Sequence, residues 1–295
     1  MKKFLVFIVK ILLITLLSAV VLDVLYTVIY VKSSNRNKIE YVYNSKNKNF
    51  DVVFMGSSRT QNHMVAKLFN DKGIKAYNFG MSGSKLDETA LLLKLMLERN
   101  YKIKNIFLDV DLNLNSNTQS EGVRAMYMPY LQCSQTIRNH YKTQKDYNKL
   151  LYIPFYRYIE NDAKIGFREM FFSLTHKKSN ALDNFGYFPL KGNGKNMSYN
   201  LSDYSPKRNL AYEKIKSICK KNNIHLIAIA TPMCQECPSE AYFNSIKLVY
   251  PEVYDYENKV VNDTDFASCG HMNVQGATLF TKIILSDFIQ NKFQN

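Results

Sequence analysis

The sequence predicts a three-layer α/β protein, in which helices cover both faces of a parallel sheet. It also predicts an N-terminal transmembrane helix and a helical or irregular insertion after the third strand. Three observations predict this class. Short apolar runs alternate with helix-like segments, which calls for a parallel sheet with right-handed crossovers. A long apolar run lies close to the N-terminus. Residues 112–205 interrupt the alternation with a segment rich in Tyr, Asn and Lys.

The N-terminal segment indicates a membrane anchor over residues 1–32. After Lys10, the run Ile11–Val31 has Asp23 as its only charge. Twenty-one residues at about 1.5 Å each span roughly 30 Å, the thickness of a bilayer core. Asp23 is unfavourable at such a depth, so it should be drawn toward an interface or a partner. A cleaved signal peptide is the competing interpretation, but no small-residue cleavage site ends the run. We therefore expect residues 4–31 to contact membrane lipid.

Charge and composition limit the classes of binding partner that are expected for the rest of the chain. Residues 33–49 are rich in Ser, Asn and Lys and are predicted to form a polar tether. The net charge of +14 favours anionic surroundings such as lipid headgroups, acidic glycans or nucleic acid. Because the sequence contains no Lys/Arg-rich helix and no recognised nucleic-acid motif, nucleic acid is not expected as a partner.

The alternating elements occupy a domain predicted over residues 50–292. Apolar runs typical of buried strands are Asp51–Met55, Ile74–Asn78, Asn105–Asp111, His225–Thr231 and a fifth near Val253–Glu257. Helix-like segments between them are Met64–Asn70, Leu86–Asn100 and Arg208–Asn222. The insertion over residues 112–205 follows the third strand, so it should lie at the carboxyl edge of the sheet as a lid or substrate-binding subdomain. Its tyrosines could pack a small core or form a platform for sugar rings.

The segment Phe50–Thr60 is the first candidate for chemistry. It is an apolar run that ends in Gly56, Ser57 and Ser58 and leads into a helix. In an open α/β sheet, ligands and catalytic groups collect at the carboxyl ends of the strands. The segment therefore suggests a nucleophile, whereas the alternative is that one of the serines only caps the helix.

Two segments here resemble the first two blocks of the SGNH (GDSL-like) hydrolase family, in its membrane-anchored, polysaccharide-modifying branch. Gly56-Ser57-Ser58 matches the first block, with Ser58 as nucleophile and Ser57 where Asp is usual. Asn78-Phe-Gly-Met-Ser-Gly-Ser84 matches the second block, in which a glycine, here Gly83, donates its backbone N–H to the oxyanion.

Two further segments match the later blocks with departures. Ile106–Asn113 lies where the third block has Gly-x-Asn-Asp, and Asp111 falls on the Asn position. His271-Met-Asn-x-x-Gly276 matches the last block, but Ser268 stands where an acidic residue is usual. The four segments follow the family's order, so the resemblance covers roughly residues 50–111 and 205–292.

The resemblance implies a flavodoxin-like SGNH fold and an esterase or O-acyltransferase acting on acyl, typically acetyl, esters of a cell-envelope polysaccharide. Ser58 and His271 would act together, with no cofactor. The implied partners are membrane lipid, an acylated or anionic glycan and a membrane-bound acyltransferase. Together with the very short N-terminal tail, the resemblance implies a single-pass protein of the bacterial inner (cytoplasmic) membrane, with its domain extracytoplasmic or periplasmic.

The departures leave several roles open. An ionised Asp111 cannot donate to an oxyanion. It would have to be protonated, Asn113 would have to take its place, or the backbone N–H groups of Ser58 and Gly83 would act alone. Arg59 could bind an anionic substrate group or pair with a carboxylate, Asp87 or Asp111. Ser268 can accept a hydrogen bond from His271 but supplies no charge, so Asp265 is the first candidate to orient the ring.

The histidines and cysteines suggest no metal site. The five histidines show no ligand spacing, and a lone Cys-x-x-Cys is too little for structural zinc. Cys234, Cys237 and Cys269 should lie at one edge of the sheet, and in an oxidising compartment a disulfide within this trio is the simplest expectation. Against the enzyme hypothesis stands a catalytically reduced protein that binds glycan or scaffolds an export complex, which Ser268 and Asp111 would suit.

Overall fold

The computed structural model describes residues 1–115, 117–194, 197–235, 237 and 240–293. The chain forms two compact units. The helical unit comprises Met1–Ser45 and Glu121–Ser179, and the sheet unit comprises Lys46–Ser120 and Asn180–Asn295.

The regular elements of both units are numbered in chain order. The helices are α1 (Lys2–Lys32), α2 (Lys38–Asn44), α3 (Ser58–His63), α4 (Ala66–Asn70), α5 (Leu86–Glu98), α6 (Glu121–Tyr127), α7 (Gln135–Tyr141), α8 (Tyr147–Tyr152), α9 (Tyr156–Glu160), α10 (Asp162–Ile165), α11 (Phe167–Leu174), α12 (Leu210–Lys221), α13 (Glu240–Val249) and α14 (Val274–Ile289). The strands are β1 (Asn49–Met55), β2 (Ala76–Asn78), β3 (Lys102–Asp109), β4 (His225–Ala230), β5 (Tyr254–Asp255), β6 (Phe266–Ser268) and β7 (His271–Met272).

The sheet unit is built on five parallel strands in the order β2-β1-β3-β4-β5. The predicted α/β class with a parallel sheet is confirmed, and each predicted strand overlaps an observed one. Strand β1 is apolar and fully buried from Val52 to Phe54, as expected for a central strand covered on both faces. Strands β6 and β7 form a separate antiparallel hairpin.

Aromatic packing fixes helices of the sheet unit against the central strands. Phe69 of α4 and Phe288 of α14 both contact Phe107 of β3, with ring centroids 6.3 and 5.9 Å apart. Phe54 of β1 joins the same cluster through Phe69 at 5.2 Å. Phe54 and Phe107 pair in register on the adjacent strands β1 and β3. The aromatic cluster therefore lies close to the carboxyl ends of both strands, where the polar site residues begin.

In the helical unit, α1 is long and apolar enough to cross a membrane by length and composition. Its side chains are exposed from Phe4 to Leu22, apart from a half-buried Ala19. From Asp23 onward one face is buried. The Asp23 carboxylate accepts hydrogen bonds from the Phe155 backbone N–H and the Arg157 guanidinium, both at 3.0 Å. The expected partner of Asp23 is therefore a residue of its own chain.

The boundaries predicted beyond the anchor need correction. Residues 38–44 are helix α2 rather than polar tether, because Ile39, Val42 and Tyr43 are spaced to bury one helical face. The segment read as one insertion, residues 112–205, is divided. Its helices α6 to α11 belong to the helical unit, and residues 180–205 belong to the sheet unit.

Candidate active site

A sharp strand-to-helix turn positions the serines. Gly56 follows β1 with φ of +144°, a conformation that side chains disfavour. A Cβ there would lie 2.3 Å from Thr60 Oγ1, so only glycine fits. Ser57 then caps α3 through a hydrogen bond that its Oγ accepts from the Arg59 N–H, at 3.3 Å. Ser58 becomes the first residue of the helix. The capping role of the alternative interpretation therefore belongs to Ser57, and Ser58 remains the candidate nucleophile.

The structure brings Ser58 and His271 together from opposite ends of the chain. Ser58 Oγ lies 2.9 Å from His271 Nε2, although 213 residues separate the two. His271 opens strand β7, directly after the turn of the β6–β7 hairpin. This geometry allows the imidazole to take the hydroxyl proton.

His63, at the other end of α3, holds the strand that carries His271. Its Nε2 accepts a hydrogen bond from the Met272 backbone N–H at 3.0 Å. Full burial holds the pKa of His63 well below its usual range, so the ring is neutral, as this acceptor role requires. Nothing in the sequence indicates this role except the position of His63, five residues after Ser58.

On the far side of the ring, His271 Nδ1 faces Ser268 and not a carboxylate. Ser268 Oγ lies 3.5 Å away, at the limit of hydrogen bonding. The structure places Ser268, and not Asp265, beside Nδ1, so it does not support Asp265 as the residue that orients the ring. The register of the hairpin pairs Ser268 with His271. Asp265 lies further along the hairpin, where its carbonyl accepts a hydrogen bond from the Asn273 N–H. The buried Oδ1 of Asp265 has no hydrogen-bond partner among the described residues.

His271 is prepared to act as a base rather than as an acid. Burial and then the Arg59 guanidinium lower its pKa from 6.5, and the negative charge of Asp111 opposes them. The imidazole is therefore neutral at neutral pH, with Nε2 available as an acceptor.

A cavity of about 260 Å³ opens over Ser58 and His271. Gly83, with φ of +76°, lines it, and its N–H makes no hydrogen bond with any described residue. Ser58 begins α3, so its N–H has no intrahelical acceptor. Asn113 also lines the cavity, and its side-chain amide has no partner among the described residues. Three residues that can donate hydrogen bonds, Ser58, Gly83 and Asn113, thus line one cavity with His271.

Asp111 does not take the place of the family's oxyanion-hole Asn. It is fully buried, forms an ion pair with Arg59 at 3.0 Å, and accepts a hydrogen bond from the Thr231 N–H at 2.9 Å. Arg59 is also buried, and its Nε donates to Thr231 Oγ1 at 2.9 Å. Of the two roles predicted for Arg59, the structure has the pairing with a carboxylate, and the partner is Asp111. Asp87 instead accepts from Gln119.

Asp109, which the sequence analysis did not identify, is a further buried carboxyl group next to Ser57 and the Arg59–Asp111 ion pair. Ser57 Oγ donates to Asp109 Oδ2 at 3.4 Å. Burial and then the charge of Asp111 raise the pKa of Asp109 well above its usual range, which favours its neutral form beside the Arg59–Asp111 ion pair.

A disulfide ties the His271 hairpin to the loop after β4. Cys234 and Cys269 are bonded, with their Cα atoms 4.9 Å apart, and Cys269 lies two residues before His271. The expectation of a disulfide within the cysteine trio is confirmed. Cys237 is buried and takes no part in it.

We expect a peptide map under non-reducing conditions to contain a Cys234–Cys269 link, and reduction to lower ester turnover several-fold. Reduction frees the hairpin that holds His271 against Ser58, so the population of the aligned pair falls. The measurement is p-nitrophenyl acetate hydrolysis before and after dithiothreitol, with Cys133→Ser as the control for effects at an exposed thiol. An unlinked Cys269 peptide from the untreated protein would contradict this expectation.

Among the described residues, no cluster of three or more His, Cys, Asp or Glu side chains is arranged to hold a metal ion. The chemistry that this geometry supports is nucleophilic attack by a serine hydroxyl. The oxygen, its base and the donors for an oxyanion all border one cavity.

Comparisons with known proteins add little to this geometry. No protein-family model matches the sequence, and no curated protein matches it. A solved structure described as "a putative platelet activating factor from Streptococcus pneumonia" has 12% sequence identity and a TM-score of 0.37. The match covers 96% of this chain and 98% of the other. A similarity this low carries no conclusion about fold or function.

Proposed function

We propose that this protein is a membrane-anchored serine ester hydrolase or O-acyltransferase of the SGNH type, acting on acyl esters of a cell-envelope polysaccharide. The observation that carries the proposal is the 2.9 Å contact between Ser58 Oγ and His271 Nε2, beside the free N–H of Gly83. The strand order 2-1-3-4-5 supports the flavodoxin-like class, since that order is the flavodoxin one.

In the first half of the proposed reaction, Ser58 Oγ attacks the ester carbonyl carbon while His271 Nε2 takes the hydroxyl proton. The carbonyl oxygen becomes an oxyanion, which the N–H groups of Ser58 and Gly83 and the Asn113 amide stabilise. The bond to the leaving oxygen then breaks, and the imidazolium returns its proton to that oxygen. The acyl group remains on Ser58.

In the second half, His271 takes a proton from an incoming hydroxyl, whose oxygen attacks the acyl carbon. The bond to Ser58 breaks, and Ser58 regains the proton. If the incoming group is water, the protein is an esterase; if it is a sugar hydroxyl, the protein is an O-acyltransferase. The chemistry on Ser58 and His271 is the same in both.

The cavity wall and the anchor support a glycan substrate at a membrane. Tyr199 and Tyr204 line the cavity with their hydroxyls 2.9 Å apart, and aromatic rings of this kind can stack on sugar rings. Lys85 adds a positive charge at the rim, which suits an anionic glycan. With α1 in the inner membrane of a bacterium, the sheet unit would meet polysaccharide, and a membrane-bound acyltransferase would supply acyl groups, on the extracytoplasmic side.

A serine-directed fluorophosphonate tests this proposal in the intact protein. We expect a single adduct on Ser58, identified by mass spectrometry of the modified peptide, and slower labelling in the presence of an acetylated polysaccharide. The matched control is Ser84→Ala, because Ser84 also borders the cavity but is buried and bonded to Thr89. Absence of an adduct on Ser58 would refute the nucleophile.

The pH dependence of turnover follows from the environment of His271. A base must be neutral, and its neutral form predominates above its pKa, which is lowered from 6.5. We therefore expect kcat/KM for an acetyl ester to rise with pH, with the midpoint of the rise below pH 6.5, so that activity persists into mildly acidic solution. A rise centred well above that pH would contradict a buried, neutral His271.

A second candidate is a catalytically reduced member that binds glycan or scaffolds an export complex. The observation that favours it is the absence of a carboxylate at His271 Nδ1 among the described residues, since Ser268 supplies no charge. In serine proteases, loss of this carboxylate costs about 10⁴ in kcat.

Ser268→Asp separates the two candidates. A carboxylate at this place would bond Nδ1–H and stabilise the imidazolium, so we expect turnover of p-nitrophenyl acetate to rise by at least about tenfold. The same change should raise the pKa of His271 and shift the pH profile upward. Ser268→Asn is the matched control, because it adds bulk and polarity without charge. If Ser268→Asp leaves a background rate unaltered, the binding hypothesis is favoured.

A further inference from the structure

Helix α11 of the helical unit carries its apolar side chains on the outside. Phe167, Phe171 and Leu174 follow one another at helical spacing and are 66%, 47% and 53% exposed. Met170 and Ser173 form the buried face. A surface helix of a soluble protein has the reverse pattern, with its apolar stripe toward the core. This arrangement points to a nonaqueous surrounding for α11.

A second exposed apolar group lies on α8, α9 and the turn between them. Tyr152, Ile153 and Ile159 are 73%, 48% and 65% exposed. Scattered apolar residues are common on surfaces, but here six large exposed ones fall within 23 residues of the helical unit, a density that favours an interaction surface. We call these six residues the apolar collar.

Contacts with α1 determine where along this helix the second group of apolar residues lies. The Phe155 N–H binds Asp23, and the Phe155 ring lies 4.9 Å from that of Tyr26. Tyr158 forms a hydrogen bond with Thr27 at 2.8 Å. Ile153 and Ile159 flank these contacts in sequence. They therefore adjoin the point where the exposed run of α1, about 28 Å from Phe4 to Leu22, comes to its end.

The charges around the collar suit a phospholipid headgroup layer. The segment from Glu121 to Ser179 has ten Lys and Arg against five Asp and Glu. Lys149, Lys164 and Arg168 are exposed next to the apolar residues in sequence. Apolar side chains combined with surrounding cations are the composition of helices that lie in a membrane interface.

We propose that the helical unit is seated in the membrane interface, with the apolar collar inserted in the leaflet from which α1 emerges and its cations on anionic headgroups. This inference rests on the membrane anchor of the proposed function and is independent of the ester chemistry. The occupant of the collar is lipid, because the collar adjoins the apolar part of α1 itself.

The absence of Trp from the chain permits a direct test. Single variants Phe171→Trp, Ile159→Trp, Leu16→Trp and Leu210→Trp of the full-length protein are placed in nanodiscs with anionic phospholipid, with and without bromine near the carbonyl end of the acyl chains. Leu16 lies in the anchor, and Leu210 is an exposed control, 73% exposed beside Lys207 and Arg208 in the sheet unit.

We expect brominated lipid to quench Phe171→Trp and Ile159→Trp by at least about twofold, with blue-shifted emission, and to leave Leu210→Trp unquenched. Water-like, unquenched emission from both collar variants, with Leu16→Trp quenched, would overturn the collar and leave the anchor intact. An unquenched Leu16→Trp would overturn the anchor and the collar together. Quenching of Leu210→Trp equal to that of the collar would also overturn the assignment, because lipid contact would then not be specific to the helical unit.

Discussion

Replacing Ser58 with alanine is expected to lower the turnover of p-nitrophenyl acetate by at least about 10³-fold. The Ser58 hydroxyl lies 2.9 Å from His271 Nε2, the base that would take its proton, so its loss removes the group that forms the acyl intermediate proposed above. The measurement is steady-state hydrolysis by the purified full-length protein, in both the wild-type and the Ser268→Asp backgrounds.

The control for Ser58→Ala is Ser84→Ala, which removes a hydroxyl from the same cavity wall. Ser84 Oγ is buried and forms hydrogen bonds with the Lys85 carbonyl and the Thr89 hydroxyl. Its removal should therefore change turnover by no more than about threefold. If Ser58→Ala retains the wild-type rate in both backgrounds, the hydrolysis comes from elsewhere and Ser58 is not the nucleophile.

Asp111→Asn is expected to lower the free energy of unfolding by about 3–5 kcal/mol, which corresponds to a Tm lower by about 6–20 °C for a unit of this size. The change gives the chain the residue usual in the resembling family. However, the Asp111 carboxylate is the buried partner of Arg59, whose guanidinium cannot lose its charge. Removing the carboxylate leaves that charge without a counterion in the interior. The measurement is thermal unfolding in detergent at neutral pH.

Asp109→Asn is the matched control, since it makes the same substitution two residues away. Burial and then the charge of Asp111 raise the pKa of Asp109 well above its usual range, and an amide closely mimics the neutral carboxylic acid that this shift favours. We expect a loss of about 1 kcal/mol or less. An equal loss for both variants would show that the charge is shared between the two carboxyl groups. A gain in turnover for Asp111→Asn without loss of stability would restore the family's oxyanion role to this position.

Local patterns in the sequence were sufficient for the five parallel strands and several of the helices, and they indicated Ser58 and His271 as candidate site residues. The strands and helices of the sheet unit are predicted by apolar periodicity, which acts over a few residues. Ser58 follows from a strand that ends in Gly-Ser-Ser, and His271 follows from its place before the last helix. Both are set by position relative to an element that the sequence reveals. The cysteine trio was likewise predicted to lie at one sheet edge.

The tertiary structure alone decided which groups pair. Asp111 reads as a strand-end carboxylate, but its role depends on Arg59 and Thr231, which come from other elements. Asp265 was the nearest carboxylate to His271 along the chain, and the hairpin register placed Ser268 there instead. In the sequence, Asp23 is an isolated charge in an anchor, whereas in the structure it binds Arg157, which lies 134 residues later. Hydrogen bonds and ion pairs act over about 3–4 Å in space, and chain distance carries no information about them.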